Sequence, residues 1–252
     1  MVGSEVANDL TLRRHAKDRL FAAVAQVAHA LGNGRRAELI DVLMQGERSV
    51  DELAREISQS ISNTSQHLRV LRESGLVTVR RDGQRVFHAI AGEEVGALWR
   101  LMLSVASERV DAVEELTRAY VGDRDSLSQL TREGLLQRLE AGEVTVLDVR
   151  PYAEWVAGHI PGAVSIPPHR MTELLDALPK DGRYVAYCRG PICVFADDAV
   201  RYLESQGMEG AILTGGFPQW RADGLPVEEG DPDRTVLAED GSAPLAADVD
   251  LP

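Results

Sequence analysis

Cysteine is nearly missing from this sequence: the only two, Cys188 and Cys193, stand five positions apart in 252 residues. Two are too few for the cross-linked scaffold of a small secreted protein, and they sit too close together to staple one. They therefore point to chemistry rather than architecture. Long apolar runs are also missing, and nothing approaches the roughly 18 to 20 residues that a membrane span needs. The opening MVGSEVANDLTLRRHAKD lacks the apolar block of a signal peptide, so a cytoplasmic protein with no membrane partner is expected. Lysine is confined to Lys17 and Lys180, which leaves 25 arginines as the other cations. Their planar fork suits phosphate and base edges better than an ammonium does. What is present, 44% hydrophobic and 27% charged residues, is a globular composition that excludes wholesale disorder. At roughly 100 to 200 residues per domain, the chain has room for two domains.

A net charge of −13 would argue against nucleic acid if it were evenly spread, but it is not. Residues 1–95 carry 13 acidic and 13 basic side chains, residues 96–227 carry 19 and 13, and residues 228–252 carry 8 and 1. DNA binding stays open for the N-terminal third.

Apolar spacing predicts a helix over 10–31, ended by Gly32 and Gly34, and a second over about 35–44. Ser49 and Glu52 form a capping box that opens a short helix through Ile57. A further helix follows the turn at 58–62 and runs to Ser74, where Gly75 stops it. Leu76–Arg80 and Arg85–Ile90 alternate as strands around Arg81-Asp82-Gly83-Gln84, and Asp-Gly between such runs signals a hairpin. Helix, turn, helix, hairpin is the order of a winged helix-turn-helix. One long helical stretch from Glu93 to Tyr120 is expected next, pairing with the first helix across a homodimer interface. Residues 121–127 read as a polar linker. Beyond them strands alternate with helices: Val144–Val149, a helix near 171–177, Tyr184–Tyr187, a helix over about 194–206, and Ala211–Leu213. That alternation predicts an α/β domain with a parallel sheet. The expected divisions are 1–120, a linker at 121–127, 128–228, and an acidic, Pro/Gly/Ala/Asp-rich disordered tail at 229–252.

On the helix after Ser60, the inward stripe is Ile61, Thr64, Leu68 and Leu71, which leaves Ser62, Asn63, Gln66 and Arg69 facing out. Short polar groups, an amide and an arginine are what read base edges in a major groove. Arg72 and the hairpin arginines Arg80, Arg81 and Arg85 can neutralise phosphates. Residues 31–90 resemble the ArsR-type winged-helix repressors, which implies operator DNA and a homodimer as partners. Metal-sensing members place cysteines in the helix before the recognition helix, where this chain reads Glu47-Arg48-Ser49-Val50-Asp51-Glu52-Leu53. Other members use histidines on the last helix, and none occurs between 89 and 158. Neither a metal nor a cofactor is expected.

Val185-Ala186-Tyr187 is an apolar strand that delivers Cys188 to the loop Arg189-Gly190-Pro191-Ile192-Cys193, ahead of a helix that starts near Val194. A cysteine between a strand end and a helix N-terminus meets convergent N–H groups that favour the thiolate. Around it lie Leu147-Asp148-Val149-Arg150 with Glu154, then Gly158-His159-Ile160-Pro161-Gly162-Ala163, and Gly215-Gly216-Phe217-Pro218-Gln219-Trp220. In order and spacing these resemble the rhodanese-like sulfurtransferase domain over about 128–228. The resemblance implies that Cys188 attacks a sulfane sulfur donor and carries the sulfur as a persulfide held by the loop amides of 189–194. Asp148, Arg150, Glu154 and His159 fall at structural and rim positions. The position where many rhodaneses carry a basic residue is Cys193 here, which leaves Arg189 as the loop's cation and argues against thiosulfate. The sixth position is Val194 rather than the arginine of the related phosphatases. Cys193 reads either as a resolving thiol or as a small apolar residue that begins the helix. The whole reads as a transcriptional repressor that responds to reactive sulfur at Cys188. The competing reading is a sulfurtransferase whose winged helix dimerises it or tethers it to DNA.

Overall fold

The computed structural model describes the backbone of residues 2–230 and the side chains of residues 10–230. The acidic tail expected over 229–252 lies outside the described residues from 231 onward. The chain divides into two compact units, Met1–Leu101 and Met102–Pro252, and the division falls upstream of the 121–127 segment.

In the first unit, α1 (Val2–Leu31) is followed by α2 (Gly34–Leu43), which Asn33 caps by accepting from the amides of Arg35 and Arg36. The capping box at Ser49 and Glu52 is present and opens α3 (Val50–Glu56). The Ser60 hydroxyl accepts from the Asn63 amide at the start of α4 (Ile61–Glu73). Such caps satisfy amides that the helix itself leaves unpaired, each contributing about 1 kcal/mol. Leu39, Ile40, Leu43, Leu53, Leu68 and Leu71 are buried where α2, α3 and α4 pack together. Ile61 departs from the expected inward stripe and is 53% exposed. Residues 61–63 are all exposed, so the helix enters the core only at Thr64.

The hairpin forms from β2 (Val77–Asp82) and β3 (Arg85–Ile90), paired to the last residue, Asp82 with Arg85. The first strand therefore ends two residues later than the alternation predicts, the second keeps its expected bounds, and the turn is Gly83-Gln84. Gly83 takes a φ of +58°, the conformation that glycine supplies at the first position of a two-residue hairpin turn. A short strand, β1 (Arg48–Ser49), adds to the other side of β3. It closes a three-stranded sheet at the base of the wing.

The expected single helix over 93–120 is instead two: α5 (Glu93–Arg109) and α6 (Asp111–Val121). Val110 between them is extended, at φ −118° and ψ 97°. A β-branched valine has low helix propensity, and Asp111 is better placed in a first turn, beside the positive end of a helix, than in a helix interior. The start of α5 docks on the first unit through buried Val95 and Trp99, and the Trp99 indole donates to Asp41 at 2.9 Å.

The second unit is built on a five-stranded, all-parallel sheet in the order β4-β8-β7-β5-β6. The chain contributes β4 (Gln129–Leu130), α7 (Arg132–Glu140), β5 (Thr145–Asp148), α8 (Tyr152–Ala157), β6 (Val164–Ser165) and α9 (Met171–Asp176). It continues with β7 (Arg183–Tyr187), α10 (Phe195–Ser205), β8 (Glu209–Leu213) and α11 (Gly216–Ala222). Parallel strands buried on both faces read as near-continuous apolar runs, as Val146-Leu147 and Tyr184-Val185-Ala186-Tyr187 do. One apolar layer gathers Leu147, Ala186, Ala199, Val200 and Leu203 with both cysteines, and the other gathers Val146, Val185, Tyr187, Phe217 and Trp220.

Candidate functional site

In the first unit, the outward face of α4 carries Ser62, Asn63, Gln66, Arg69 and Arg72, all exposed. Arg69 is paired with Glu73 one turn on, at 3.4 Å and largely in solvent, an interaction of little strength that a phosphate can replace. Arg81 and Arg85 lie exposed at the end of the hairpin. Arg80 is placed differently. Its Nε donates to Glu47 at 3.1 Å, it lies 3.4 Å from Asp82, and it stacks on Phe87 with 4.8 Å to the ring centroid. The same hydrogen bond holds the Glu47 carboxyl below the usual carboxylate range. Arg80 thus fastens the wing to the turn before β1 and is less available to DNA than Arg81 and Arg85.

In the second unit, β7 ends at Tyr187 and delivers Cys188, which is 3% exposed, to a tight loop. Cys188 and Cys193 are joined in a disulfide, with their Cα atoms 6.2 Å apart. Within the loop the Cys193 amide donates to the Gly190 carbonyl at 3.2 Å, and α10 begins at Phe195 with no side-chain cap. Its first amides therefore face the loop unsatisfied by any capping side chain, a favourable setting for a thiolate. The floor of the loop is the Gly215-Gly216 turn, and the Phe217 amide donates to the Cys188 carbonyl at 3.0 Å. Both glycines have positive φ, and a Cβ at Gly216 would overlap the Cys188 carbonyl and the Gly190 amide. Only glycine lets the two loops approach this closely. Beside the disulfide lies a cavity of about 190 Å³ lined by Pro191, Ala196, Ile212, Leu213 and both cysteines, with Arg124 on its wall.

Arg189, read from the sequence as the loop's cation, is turned onto Glu154, with Nε 3.0 and 3.1 Å from the two carboxylate oxygens. Glu154 is buried, so this pair neutralises both partners beneath the loop. Asp148 and Arg150 are fully buried together, and the Tyr187 hydroxyl donates to Asp148 at 2.6 Å. Burial and the neighbouring carboxylate push the Tyr187 hydroxyl well above its usual pKa, so it stays a donor. His159 stacks on Trp155 at 4.1 Å, and burial lowers its pKa and favours the neutral ring. Two site residues carried no local sequence signal, Arg124 in the polar linker and Asp197 in α10, which meet at 2.7 Å across 73 positions. Among the described residues no three His, Cys, Asp or Glu side chains cluster so as to hold a metal ion.

A winged helix-turn-helix and an α/β unit with a cysteine loop between a central strand and a helix define a two-part DNA-binding regulator. The bacterial regulatory protein, arsR family, matches residues 33–79, and the rhodanese-like domain family matches residues 131–223. The HTH-type transcriptional regulator Rv0324 of Mycobacterium tuberculosis is 44% identical over 216 residues, covering 86% of this chain and 95% of that protein. A sulfurtransferase of Allochromatium vinosum is 34% identical over 103 residues, 40% of this chain and 94% of its own length. A homodimeric winged helix-turn-helix DNA-binding domain from Mycobacterium bovis, solved in solution, is 41% identical, with a TM-score of 0.36. It covers 38% of this chain and 89% of its own. The chain belongs to the ArsR-type HTH transcriptional regulators and carries a C-terminal rhodanese-like domain.

Proposed function

We propose that this regulator is a repressor whose rhodanese-like domain registers reactive sulfur at Cys188, with Cys193 as the resolving thiol. The observation that carries the reading is the Cys188–Cys193 pair, set between a strand end and a helix N-terminus beside a cavity. The Cys188 thiolate attacks the outer sulfur of a hydropersulfide RSSH; the S–S bond breaks and RS⁻ leaves, generating Cys188–SSH. The Cys193 thiolate then attacks the Cys188 sulfur, forming the disulfide and expelling HS⁻. The two leaving groups take up the two thiol protons. The balance is RSSH plus two thiols giving one disulfide, RSH and H₂S, with the sulfane sulfur as oxidant. Arg189 is committed to Glu154 and Arg124 to Asp197, and the rest of the cavity wall, Gln129 and Thr214 among apolar side chains and glycines, carries no further cation. This favours neutral or singly charged sulfanes over the thiosulfate dianion.

We assign residues 1–120 to DNA binding and dimerisation and residues 128–228 to the sulfur-handling domain. Homodimerisation is supported by apolar side chains left open on α1 and α5, among them Leu20, Phe21, Val24, Leu101 and Val105, each more than half exposed. Single exposed leucines are ordinary, but a row along a helix marks an interface. On operator DNA, Asn63 and Gln66 read bases, while Arg69, Arg72, Arg81 and Arg85 contact phosphates. Replacing Gln66 is expected to cost about 1 to 3 kcal/mol on the preferred site and little on random DNA, whereas Arg81→Ala weakens both and lowers the salt slope by about one. Equal losses on both DNAs for the Gln66 substitution would overturn the base-reading role.

The function is tested by mass spectrometry of Cys188 and Cys193 after polysulfide treatment, with operator binding measured on the same samples. A persulfide or disulfide at Cys188 that accompanies a change in DNA affinity is expected; modification that leaves binding untouched rejects the sensor. The likeness to a sulfurtransferase favours one other reading, an enzyme tethered to DNA. Catalytic turnover of a persulfide donor at constant DNA affinity would select it.

A further inference from the structure

Arg124 lies three residues beyond the end of α6, in the segment leading to β4. Its Nε and Nη2 donate to the two carboxylate oxygens of Asp197 at 2.7 and 2.5 Å. The same guanidinium donates from Nη1 to the Pro191 carbonyl at 2.9 Å and from Nη2 to the Cys193 carbonyl at 3.0 Å. Asp197 is fully buried in the first turn of α10. An exposed ion pair in a linker would contribute little, but a two-pronged pair to a buried carboxylate fixes the fork in one orientation. That orientation is spent on two main-chain oxygens of the segment that carries Cys193. A second arginine holds the same stretch: Arg201 of α10 donates to the Val121 carbonyl at 3.3 Å and to the Asp123 carbonyl at 3.1 Å, on either side of Gly122.

We infer that Arg124 is a positioning residue for the Cys188–Cys193 pair, clamping the 191–193 main chain where Cys193 reaches Cys188 and tying that state to the end of α6. The inference rests on the reading of this pair as working thiols. The main chain that Arg124 grips fixes the Cα of Cys193 and with it the reach of its Sγ toward Cys188. By reciprocity, whatever the clamp adds to the closed pair, closing the pair adds to the hold on residues 121–124. The thiol state thereby reaches α6 through one side chain.

The test equilibrates the full-length protein in glutathione redox buffers and quantifies the closed pair by thiol labelling and mass spectrometry. Arg124→Leu combined with Asp197→Leu removes both charges, so neither is left buried alone. Arg124→Lys keeps the charge without the fork. The equilibrium constant for closure is expected to fall at least tenfold in the paired variant, a potential about 30 mV less negative, with Arg124→Lys in between. A constant equal to wild type in the folded paired variant overturns the proposal. If that variant does not fold, an unchanged constant in Arg124→Lys overturns it. Glutathione reports on the pair whether or not polysulfide modifies it. A pair inert to polysulfide therefore refutes the sensor, and an unchanged constant refutes the clamp.

Discussion

Polysulfide is expected to change the operator affinity of the wild-type protein by about tenfold to a hundredfold, and Cys188→Ser to abolish that change. A modification in the rhodanese-like domain alters DNA binding only by the difference in what it costs the DNA-competent and incompetent dimers. A switch of that size needs roughly 1.4 to 2.8 kcal/mol. Several hydrogen bonds respond when the 188–193 loop rearranges, including those from Arg124 to the Pro191 and Cys193 carbonyls and from Phe217 to the Cys188 carbonyl. At a net 0.5–1.5 kcal/mol each, two or three of them kept in one dimer state and lost in the other supply a switch of that size. Cys193→Ser separates the two chemical states, since it accepts a persulfide at Cys188 but cannot close the disulfide. If Cys193→Ser still responds, the persulfide is the signal; if it does not, the disulfide is. Titration of labelled operator at fixed salt measures all three proteins, and one affinity throughout, treated or not, would remove the sensor from the regulator.

The second large effect concerns stability. Asp148→Ala is expected to destabilise the rhodanese-like domain by about 3 to 5 kcal/mol, because it takes the gripping carboxylate from an Arg150 guanidinium that has no exposed surface. Arg150 stacks on Phe217 at 4.0 Å, donates to the Gly158 carbonyl at 2.7 Å and feels Glu154 more weakly, but Asp148 is the carboxylate that its Nε and Nη2 grip. Burial alone would lower the Arg150 pKa, and Asp148, with Tyr187 and Glu154 adding to it, raises it on balance, so the cation does not escape by losing its proton. The Tyr187 hydroxyl loses its acceptor in the same stroke. Asp148→Asn, which keeps an acceptor but not the charge, should fall between. Urea unfolding followed by tryptophan fluorescence measures the loss, and a cost below about 1 kcal/mol for the alanine variant would contradict the account.

Local chemistry made much of this legible in the sequence. Ser49 with Glu52, Ser60 and Gly83 each announce a helix start or a turn within four residues, and β5 and β7 are apolar runs that only a buried strand explains. What escaped has the opposite character. The strands β1, β4 and β6 are two residues long, too short to show any period, and exist only because a neighbour pairs with them. The break at Val110 interrupts a pattern that is helical on both sides. Arg124 is the sharpest case, since its partners lie 67 to 73 positions away and nothing near it distinguishes it from a solvated linker residue. The turning of Arg189 onto Glu154 was hidden for the same reason, at a separation of 35.

The brevity of β4 and β6 also bears on how the protein keeps company. They are the two outer strands of the parallel sheet, and each offers only a pair of residues, Gln129-Leu130 and Val164-Ser165, as a template. An incoming extended chain would find almost no ladder to continue, so the sheet discourages fibril growth and strand exchange. The dimerisation proposed above would then rest on the helices, where side-chain shape rather than backbone repetition selects the mate.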